Sequence, residues 1–259
     1  IKMKKIILLL ILLFTFNASA QYNILSAVQL NEGAEDQYLA LEAFMGPVHD
    51  LAIEKGIQNW QSVWKVTSET GENGPHYIIN TGFSSKEQLN AHDKSWADGD
   101  WLALAKEAYK GKISARRVER IMNDLGSESK ERRNYHLKTV DSTIWAGGSL
   151  EPGDTFSLTP TQAQNDDFEN YESLFWKPYV EKAIINGKHG FWRLSKVYER
   201  NENAYEGITH FFFNRFVEGG SMTDGTPTDS FKFQKLLEGL QSASNHADPI
   251  TLELVSRHN

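Results

Sequence analysis

Histidine is the residue type in this sequence whose chemistry best suits neutral pH, because an imidazole can act as a base, a metal ligand or a pH-dependent switch. The eight histidines never fall into H-x-H, H-x-x-x-H or H-E-x-x-H spacing, so no metal site within one helix or strand is predicted. His76 and His210 stand at the start of two similar aromatic-rich segments, where an imidazole can meet a ligand. The plainer alternative is a strand-end histidine bonded to backbone or water.

A second candidate is a pair of residues in a segment with helical spacing. His92 and Trp96 lie four residues apart and therefore share one helix face, and Leu89 lies on the same side. Such a face can line a pocket between a helix and a sheet, with His92 or His76 as a base. The alternative places Leu89 and Trp96 in the core and His92 at its boundary.

Aromatic side chains are the third candidate group, with seven tryptophans in the chain. Trp and Tyr combine an apolar body with a polar tip, which suits a pocket for a planar ligand as well as an ordinary core. We assign no catalytic residue. The residues predicted to contact a ligand are Trp64, His76, His92, Trp96, Trp192 and His210.

The sequence lacks the residues that several other kinds of chemistry require. There is no cysteine for a thiolate or a disulfide, and no G-x-S-x-G, P-loop or G-x-G-x-x-G string. The acidic string Asp98-Gly99-Asp100 does not complete a calcium loop and is better explained as a break between two helices. The formal net charge of −7 argues against a nucleic-acid partner and against an anionic membrane surface.

The N-terminal stretch predicts export. Lys4 and Lys5 follow Met3, an apolar run covers 6–14, and an A-x-A string ends at Ala20. These three features are typical of a secretory signal peptide, here residues 1–20, cleaved after Ala20. The alternative is an uncleaved anchor, but the apolar run is shorter than the roughly 20 residues that a span needs. We expect a periplasmic or secreted bacterial protein with no membrane attachment after cleavage.

One stretch of the chain occurs twice. Residues 47–66 return without a gap as residues 178–197, and Pro47/Pro178, Gly56/Gly187 and Lys65/Lys196 are among the identical pairs. Shared spacing of this kind indicates that one structural unit was used twice.

Periodicity predicts the elements of the two units. In the first unit, residues 21–122, strands at 22–30, 60–68, 76–83 and 113–122 alternate with helices in the order β-α-β-β-α-β. Residues 123–134 are polar and predict a linker. The second unit, residues 135–259, opens with a strand at 135–144 and repeats the pattern. It carries two inserts, residues 145–166 and 217–228, rich in glycine and proline.

The proline inside the first helix, the glycine after it and the aromatic-rich central hairpin occur in both units, and with them the sequence resembles the dimeric α+β barrel superfamily. Antibiotic-biosynthesis-monooxygenase-like and EthD-like domains belong to this group. The resemblance implies an α+β fold in which two tandem ferredoxin-like units of one chain form the barrel. A second chain is then not needed for closure, so a monomer or a homodimer is expected.

The superfamily includes cofactor-free monooxygenases, haem enzymes, isomerases and simple ligand binders. Haem-binding members of the peroxidase type carry G-x-x-D-G, and residues 220–225, GSMTDG, have one residue too many. The resemblance therefore predicts no cofactor and leaves haem open.

Three functions remain, because fold alone does not decide between them. The first is binding of a small, partly aromatic molecule in a helix-to-sheet pocket, with the 145–166 insert as a cover. The second is a cofactor-light, monooxygenase-like oxidoreductase or isomerase. The third is an envelope protein with a structural or interaction role. Because both inserts lie in the second unit, we expect that unit to hold the ligand.

Overall fold

The structure, a computed structural model, describes residues 21–259, and the predicted signal peptide lies outside them. The strands are β1 (Tyr22–Leu30), β2 (Trp60–Val66), β3 (Tyr77–Phe83), β4 (Ser129–Ser142), β5 (Thr155–Ala163), β6 (His189–Arg200), β7 (His210–Phe216), β8 (Ser244–His246) and β9 (Ile250–His258). The α-helices are α1 (Glu35–Glu54), α2 (Lys86–Ala97), α3 (Asp100–Ala108), α4 (Ala115–Asp124), α5 (Phe168–Asn170), α6 (Lys177–Ile185) and α7 (Phe231–Ala243), and a π-helical turn, Tyr171–Trp176, joins α5 to α6.

Eight of these strands close into an antiparallel barrel. Neighbours follow the order β7-β6-β4-β1-β3-β2-β9-β5, and pairing of β5 with β7 joins the two ends. The short strand β8 pairs with β5 beside the barrel. Closure pairs the strand edges that an open sheet would expose, so the barrel is stabilised without a second chain.

The two halves of the barrel share one internal strand order. Residues 22–142 supply β4-β1-β3-β2, and residues 155–258 supply β9-β5-β7-β6. If the barrel strands of each half are counted along the chain, both halves have the spatial order fourth, first, third, second. The halves meet where β4 pairs with β6 and where β2 pairs with β9. Gly56 and Gly187 follow the first long helix of each half with φ of 71° and 68°, a conformation that glycine adopts at little cost.

Strand alternation divides side chains between the barrel interior and the outer helical layers. On β6, Phe191 and Val197 pack inside the barrel, whereas Trp192 and Leu194 pack outwards against the helices. The interior cluster draws on both halves and includes Leu25, Trp64, Ile78, Tyr135, Leu137, Phe156, Phe211 and Phe213. Helices α1 to α4 cover the first half, and α5 to α7 cover the second.

The predicted fourth strand at 113–122 is wrong, because these residues form α4. Ser114 caps the helix, accepting a hydrogen bond from the backbone N–H of Arg117 at 3.3 Å. Val118 and Met122 lie four residues apart and face the helical core of the first half. The arginines of this segment, Arg116, Arg117 and Arg120, are polar on any face and therefore do not discriminate helix from strand.

The predicted linker, residues 123–134, contains the end of α4 and the first part of β4. This strand continues through the segment predicted to open the second unit, and it pairs with β1 and β6. Backbone pairing does not require apolar side chains, and the polar ones here form ion pairs such as Arg132–Glu128 at 2.9 Å. Polar composition therefore concealed the first six residues of this 14-residue strand.

The predicted insert at 145–166 is irregular only in part, because β5 occupies residues 155–163. Pro160 suggested a loop, since proline cannot donate to a sheet ladder. On one side β5 pairs with β9 up to Leu158 and with β8 from Thr161, so Pro160 lies in the gap between these partners. The other insert, residues 217–228, is an irregular loop, as predicted.

Pro47 lies inside α1, which runs from Glu35 to Glu54. The missing N–H leaves the carbonyl of Ala43 without its helical partner, and Ala43 is exposed, so water can satisfy that carbonyl. In the second half the matching Pro178 stands at the start of α6, directly after the π-helical turn.

Candidate functional site

A cavity of about 760 Å³ lies on the outer face of the first-half sheet, beneath α1 and α2. Its floor comes from β1 to β4, and the last residues of β6 reach its rim. The walls mix apolar and titratable side chains. They include Glu42, Met45, His49, Gln61, Ile79, His92, Asp93, Trp96, Arg132, His136 and Glu199. The cavity lies in the first half, not in the second half, where the inserts led us to expect a ligand.

A break between α2 and α3 positions the cavity's aromatic wall. Gly99, with φ of 81°, turns the chain, as the Asp98-Gly99-Asp100 string predicted. Trp101 at the start of α3 consequently stacks on Trp96, with ring centroids 4.3 Å apart and planes 10° apart. The ring of His92 packs edge-on between Trp101 and Phe83, at 5.4 and 5.0 Å.

Asp93 joins two imidazoles at this wall. Its Oδ1 lies 3.3 Å from Nδ1 of His92, and its Oδ2 lies 3.3 Å from Nε2 of His136. The indole N–H of Trp96 reaches Nε2 of His92 at 3.3 Å, so that nitrogen accepts and Nδ1 carries the proton donated to Asp93. Nε2 of His136 faces the same carboxylate, and with the proton on that nitrogen the pair attract each other. Its Nδ1 is then an acceptor, and it has no hydrogen-bond partner.

Helix α1 adds two further titratable groups. Glu42 and His49 are seven residues apart and face the same cavity, one on each side of Met45. Burial raises the pKa of Glu42, and the nearby Arg132 partly opposes that rise. Burial lowers the pKa of His49 to about 3, so this imidazole is neutral at pH 7. One cavity therefore combines a carboxyl whose pKa is raised, that of Glu42, with an uncharged imidazole, that of His49, an arrangement suited to acid–base chemistry.

The six predicted ligand contacts separate in the structure. His92 and Trp96 both line the cavity. Trp64 lies inside the barrel, 7% exposed, and packs on Phe156. Trp192 is buried between β6 and the helices of the second half.

The other two predicted histidines have hydrogen-bonded structural positions. His76 is exposed, and its Nδ1 accepts the backbone N–H of Leu30 at 3.0 Å. His210 is 3% exposed, and its Nε2 lies 3.3 Å from Glu169. Each matches the alternative of a strand-end histidine held by neighbouring polar groups.

Sequence reasoning missed Glu42, His49, Asp93 and His136 as cavity residues. The i, i+7 spacing of Glu42 and His49 could have placed them on one helix face. His136 could not have been found from local spacing, because the pairing of its strand with β1 brings it to this cavity.

The second half has no matching cavity with histidines. The space between its sheet and helices is filled by Phe168, Val180, Ile184, Trp192 and Phe212. A shallow groove on its surface, about 460 Å³, is lined by Tyr171, Phe175, Lys182 and other residues of α6 and α7, without an imidazole.

An axial haem ligand needs a nitrogen free for iron, and both nitrogens of His92 are engaged, by Asp93 and Trp96. Nε2 of His136 lies 3.3 Å from Asp93, and its Nδ1 has no hydrogen-bond partner and lies 3.7 Å from Glu199. The third cavity imidazole, His49, has Nδ1 3.2 Å from the amide nitrogen of Gln58. Among residues 21–259, no group of three or more His, Cys, Asp or Glu side chains could hold a metal ion.

No helix in the described part of the chain has the length and apolarity that crossing a membrane requires.

No protein-family model matches the chain, and no curated protein matches it. Several solved structures match the chain in fold. An anthrone oxidase-like protein is 12% identical with a TM-score of 0.54, over 93% of this chain and 94% of that one. A candidate monooxygenase from Fusobacterium nucleatum is 8% identical with a TM-score of 0.53, over 92% and 93%.

A haem-binding protein from Thermus thermophilus is more distant, at 9% identity and a TM-score of 0.41 over 91% and 92% of the two chains, and at that similarity it says nothing about a cofactor here. Similarity at this level of identity concerns architecture alone. Together with the closed eight-stranded barrel and its outer helices, it shows that this chain has the dimeric α+β barrel fold.

Proposed function

We propose that the first-half cavity binds a small, partly aromatic molecule and that the protein oxidises it as a cofactor-light, monooxygenase-like enzyme. The observation that carries this proposal is the unpartnered Nδ1 of His136, on an imidazole whose other nitrogen is held by Asp93. A carboxylate that fixes the tautomer of a histidine makes the opposite nitrogen a proton acceptor. The named neighbours, an anthrone oxidase-like protein and a candidate monooxygenase, support the reaction class.

In the proposed reaction His136 takes a proton from an activated CH₂ group of the substrate. The resulting anion passes electrons to O₂, a C–O bond forms, and loss of water leaves a ketone, so CH₂ and O₂ become C=O and H₂O. Trp96 stacks on the ring system, and Glu42, protonated more readily than an ordinary carboxyl, donates a hydrogen bond to a substrate oxygen. His92 is a positioning residue, since both of its nitrogens are engaged.

Oxygen uptake with anthrone as the probe tests the reaction. We expect wild-type protein to consume O₂ and His136→Gln to lose roughly 10²- to 10⁴-fold in rate, the usual contribution of a general base. Asp93→Asn should also lose activity. The matched control is Glu169→Gln, which removes a carboxylate from another imidazole, that of His210, outside the cavity. Equal rates for His136→Gln and the control would refute the base.

Binding is measured separately by calorimetry. Gln61→Trp should abolish binding by filling the cavity, and the matching residue of the second half, Trp192, shows that the fold tolerates tryptophan there. Binding of anthrone that Gln61→Trp eliminates, without O₂ uptake in any variant, would favour the second candidate, a ligand-binding protein. A visible absorption band in protein purified without added cofactor would overturn the cofactor-light assignment in favour of haem or flavin.

We also propose that the chain is a tandem duplication of one ferredoxin-like unit, with the boundary in the loop between β4 and β5. Equivalent contacts support it. Lys65 binds Glu35 at 2.8 Å, and Tyr77 at the start of β3 donates to the same carboxylate at 2.7 Å. In the second half Lys196 binds Glu169 at 2.6 Å, and His210 at the start of β7 contacts that carboxylate.

Export after cleavage behind Ala20 and a periplasmic or secreted location remain predictions of the sequence. One chain closes the barrel, so we propose that a monomer is sufficient. A homodimer through the exposed side chains of Leu174, Phe175 and Phe231 is the alternative.

A further inference from the structure

A second cavity, of about 340 Å³, opens at one end of the barrel interior, on the opposite face of the sheet from the histidine cavity. Its walls are mostly aromatic: Trp60, Trp64, Trp145, Phe156, Phe191 and Phe213. Small-molecule sites span roughly 300 to 1,000 Å³, so the space suits a molecule of one or two rings.

The loop between β4 and β5 covers part of this opening. Trp145 lies parallel to Phe156, with planes 9° apart and centroids 5.9 Å apart, and its indole N–H donates to the carbonyl of Gly148 at 2.7 Å. Arg215 lies over the Trp145 ring at 5.3 Å, and Asp154 neutralises it at 3.2 Å. Arg215 of β7 thus holds the cover in place, and a carboxylate of the cover itself neutralises its charge.

Arg193 projects into the barrel without such a partner. Its guanidinium lies 4.5 Å from the ring of Phe213, and its buried Nε has no hydrogen-bond acceptor. Burial lowers the pKa of Arg193 to about 10. A second cation, Arg257, lines the same cavity, and no Asp or Glu among the described residues does. The matching position of the first half is Ser62, so the charge belongs to the second half alone.

An unpaired cation in an apolar enclosure is costly, because it loses hydration without gaining a counter-charge. An anion bound between Arg193 and Arg257 removes that cost. The planar guanidinium fork matches the two oxygens of a carboxylate, and the surrounding rings match a planar apolar body. The aromatic walls disfavour inorganic anions, because such anions have no apolar surface that could pack against the rings.

We propose that the barrel mouth is a binding site for a small aromatic carboxylate, with its carboxylate on Arg193, Arg257 at the entrance and its ring among the tryptophans. This site is distinct from the histidine cavity and does not depend on the function proposed for it.

Calorimetry on residues 21–259 with 1-naphthoate, benzoate and indole-3-carboxylate tests the proposal, with 1-naphthamide as the uncharged control. We expect saturable binding of at least one carboxylate and at least about 10-fold weaker binding of the amide. Arg193→Met should weaken carboxylate binding roughly 10- to 100-fold, as expected for loss of a charge-assisted hydrogen bond. Glu169→Gln, at a residue that lines neither cavity, should leave it unchanged. Absence of saturable binding, equal binding of acid and amide, or unchanged binding by Arg193→Met would overturn the proposal.

A ligand-free measurement removes dependence on the chosen probes. If the role of Arg193 is to bind the carboxylate of a ligand, then in the absence of ligand Arg193→Met should unfold at the same temperature as wild type or higher, since the variant removes an unpaired charge. Arg215→Met should unfold lower, because it loses an ion pair with Asp154. A lower Tm for Arg193→Met as well would show that Arg193 stabilises the empty barrel and would overturn the assignment.

Discussion

Glu172 is a carboxyl that the fold buries without a partner for one of its oxygens. It lies in the π-helical turn, is 2% exposed, and its Oε2 has no hydrogen bond. Burial raises the pKa of Glu172 from 4.5 to about 8. The folded protein therefore holds the protonated form, while the unfolded chain ionises near pH 4.5. The stability that protonation provides is fully present below pH 4.5 and is lost as pH rises to about 8.

The size of this loss follows from linkage, which gives about 1.4 kcal/mol for each pH unit between the two pKa values. Across the interval from 4.5 to about 8, the free energy of unfolding should fall by up to about 5 kcal/mol. Glu172→Gln keeps the shape of the side chain but cannot ionise. The variant should match wild type near pH 4.5 and exceed its stability by a few kcal/mol at pH 8.

Urea unfolding at pH 5, 6, 7 and 8, followed by tryptophan fluorescence, measures this difference, and unchanged slopes between variant and wild type keep the comparison valid. The control is Glu181→Gln on α6, whose carboxylate is about half exposed. A constant difference between Glu172→Gln and wild type from pH 5 to 8 would show that Glu172 ionises normally and would refute the reasoning.

Two further predictions concern stability in the first half. His49→Gln should keep its stability better than wild type as pH falls below 6.5, because burial lowers the pKa of His49 to about 3 and the unfolded chain takes up the proton first; acid unfolding monitored by circular dichroism checks this. Gly82→Ala should lower the free energy of unfolding by about 1–3 kcal/mol, since a Cβ there would lie 2.1 Å from the ring of Trp60, whereas Gly207→Ala, with open space around it, should cost less; parallel urea titrations compare the two.

Local sequence patterns predicted the elements in which apolar and polar side chains follow the buried and exposed faces. The apolar stripe of α1, the break at Gly99 and the glycines after the first helices all follow from residue chemistry, and the structure has each of them. They fix the helix face on which His92 and Trp96 stand. The imidazole of His136 was predicted to lie on a strand, at 135–144, but local patterns do not say which strands that one pairs with. Its position is determined by pairing with β1 and β6, a long-range property that no short window of sequence contains.

The repeat also accounts for the difference between the halves once equivalent positions are compared. Gln61 of β2 matches Trp192 of β6, and Ile79 of β3 matches Phe212 of β7, by their order in the aligned strands. The smaller pair lines the histidine cavity, whereas the larger pair belongs to the packed core of the second half. Two enlarged side chains on adjacent strands therefore explain much of why one half keeps a cavity and the other does not.

The glutamates of the first helices extend the comparison. Glu42 lies five residues before Pro47, and Glu172 lies six before Pro178. A π-helical turn accommodates one extra residue, and Tyr171–Trp176 is such a turn. With that residue allowed for, the two glutamates occupy equivalent positions, and burial raises the pKa of both. Glu42 faces a cavity, and Glu172 faces a filled core, so the shared carboxyl can serve a ligand in the first half only.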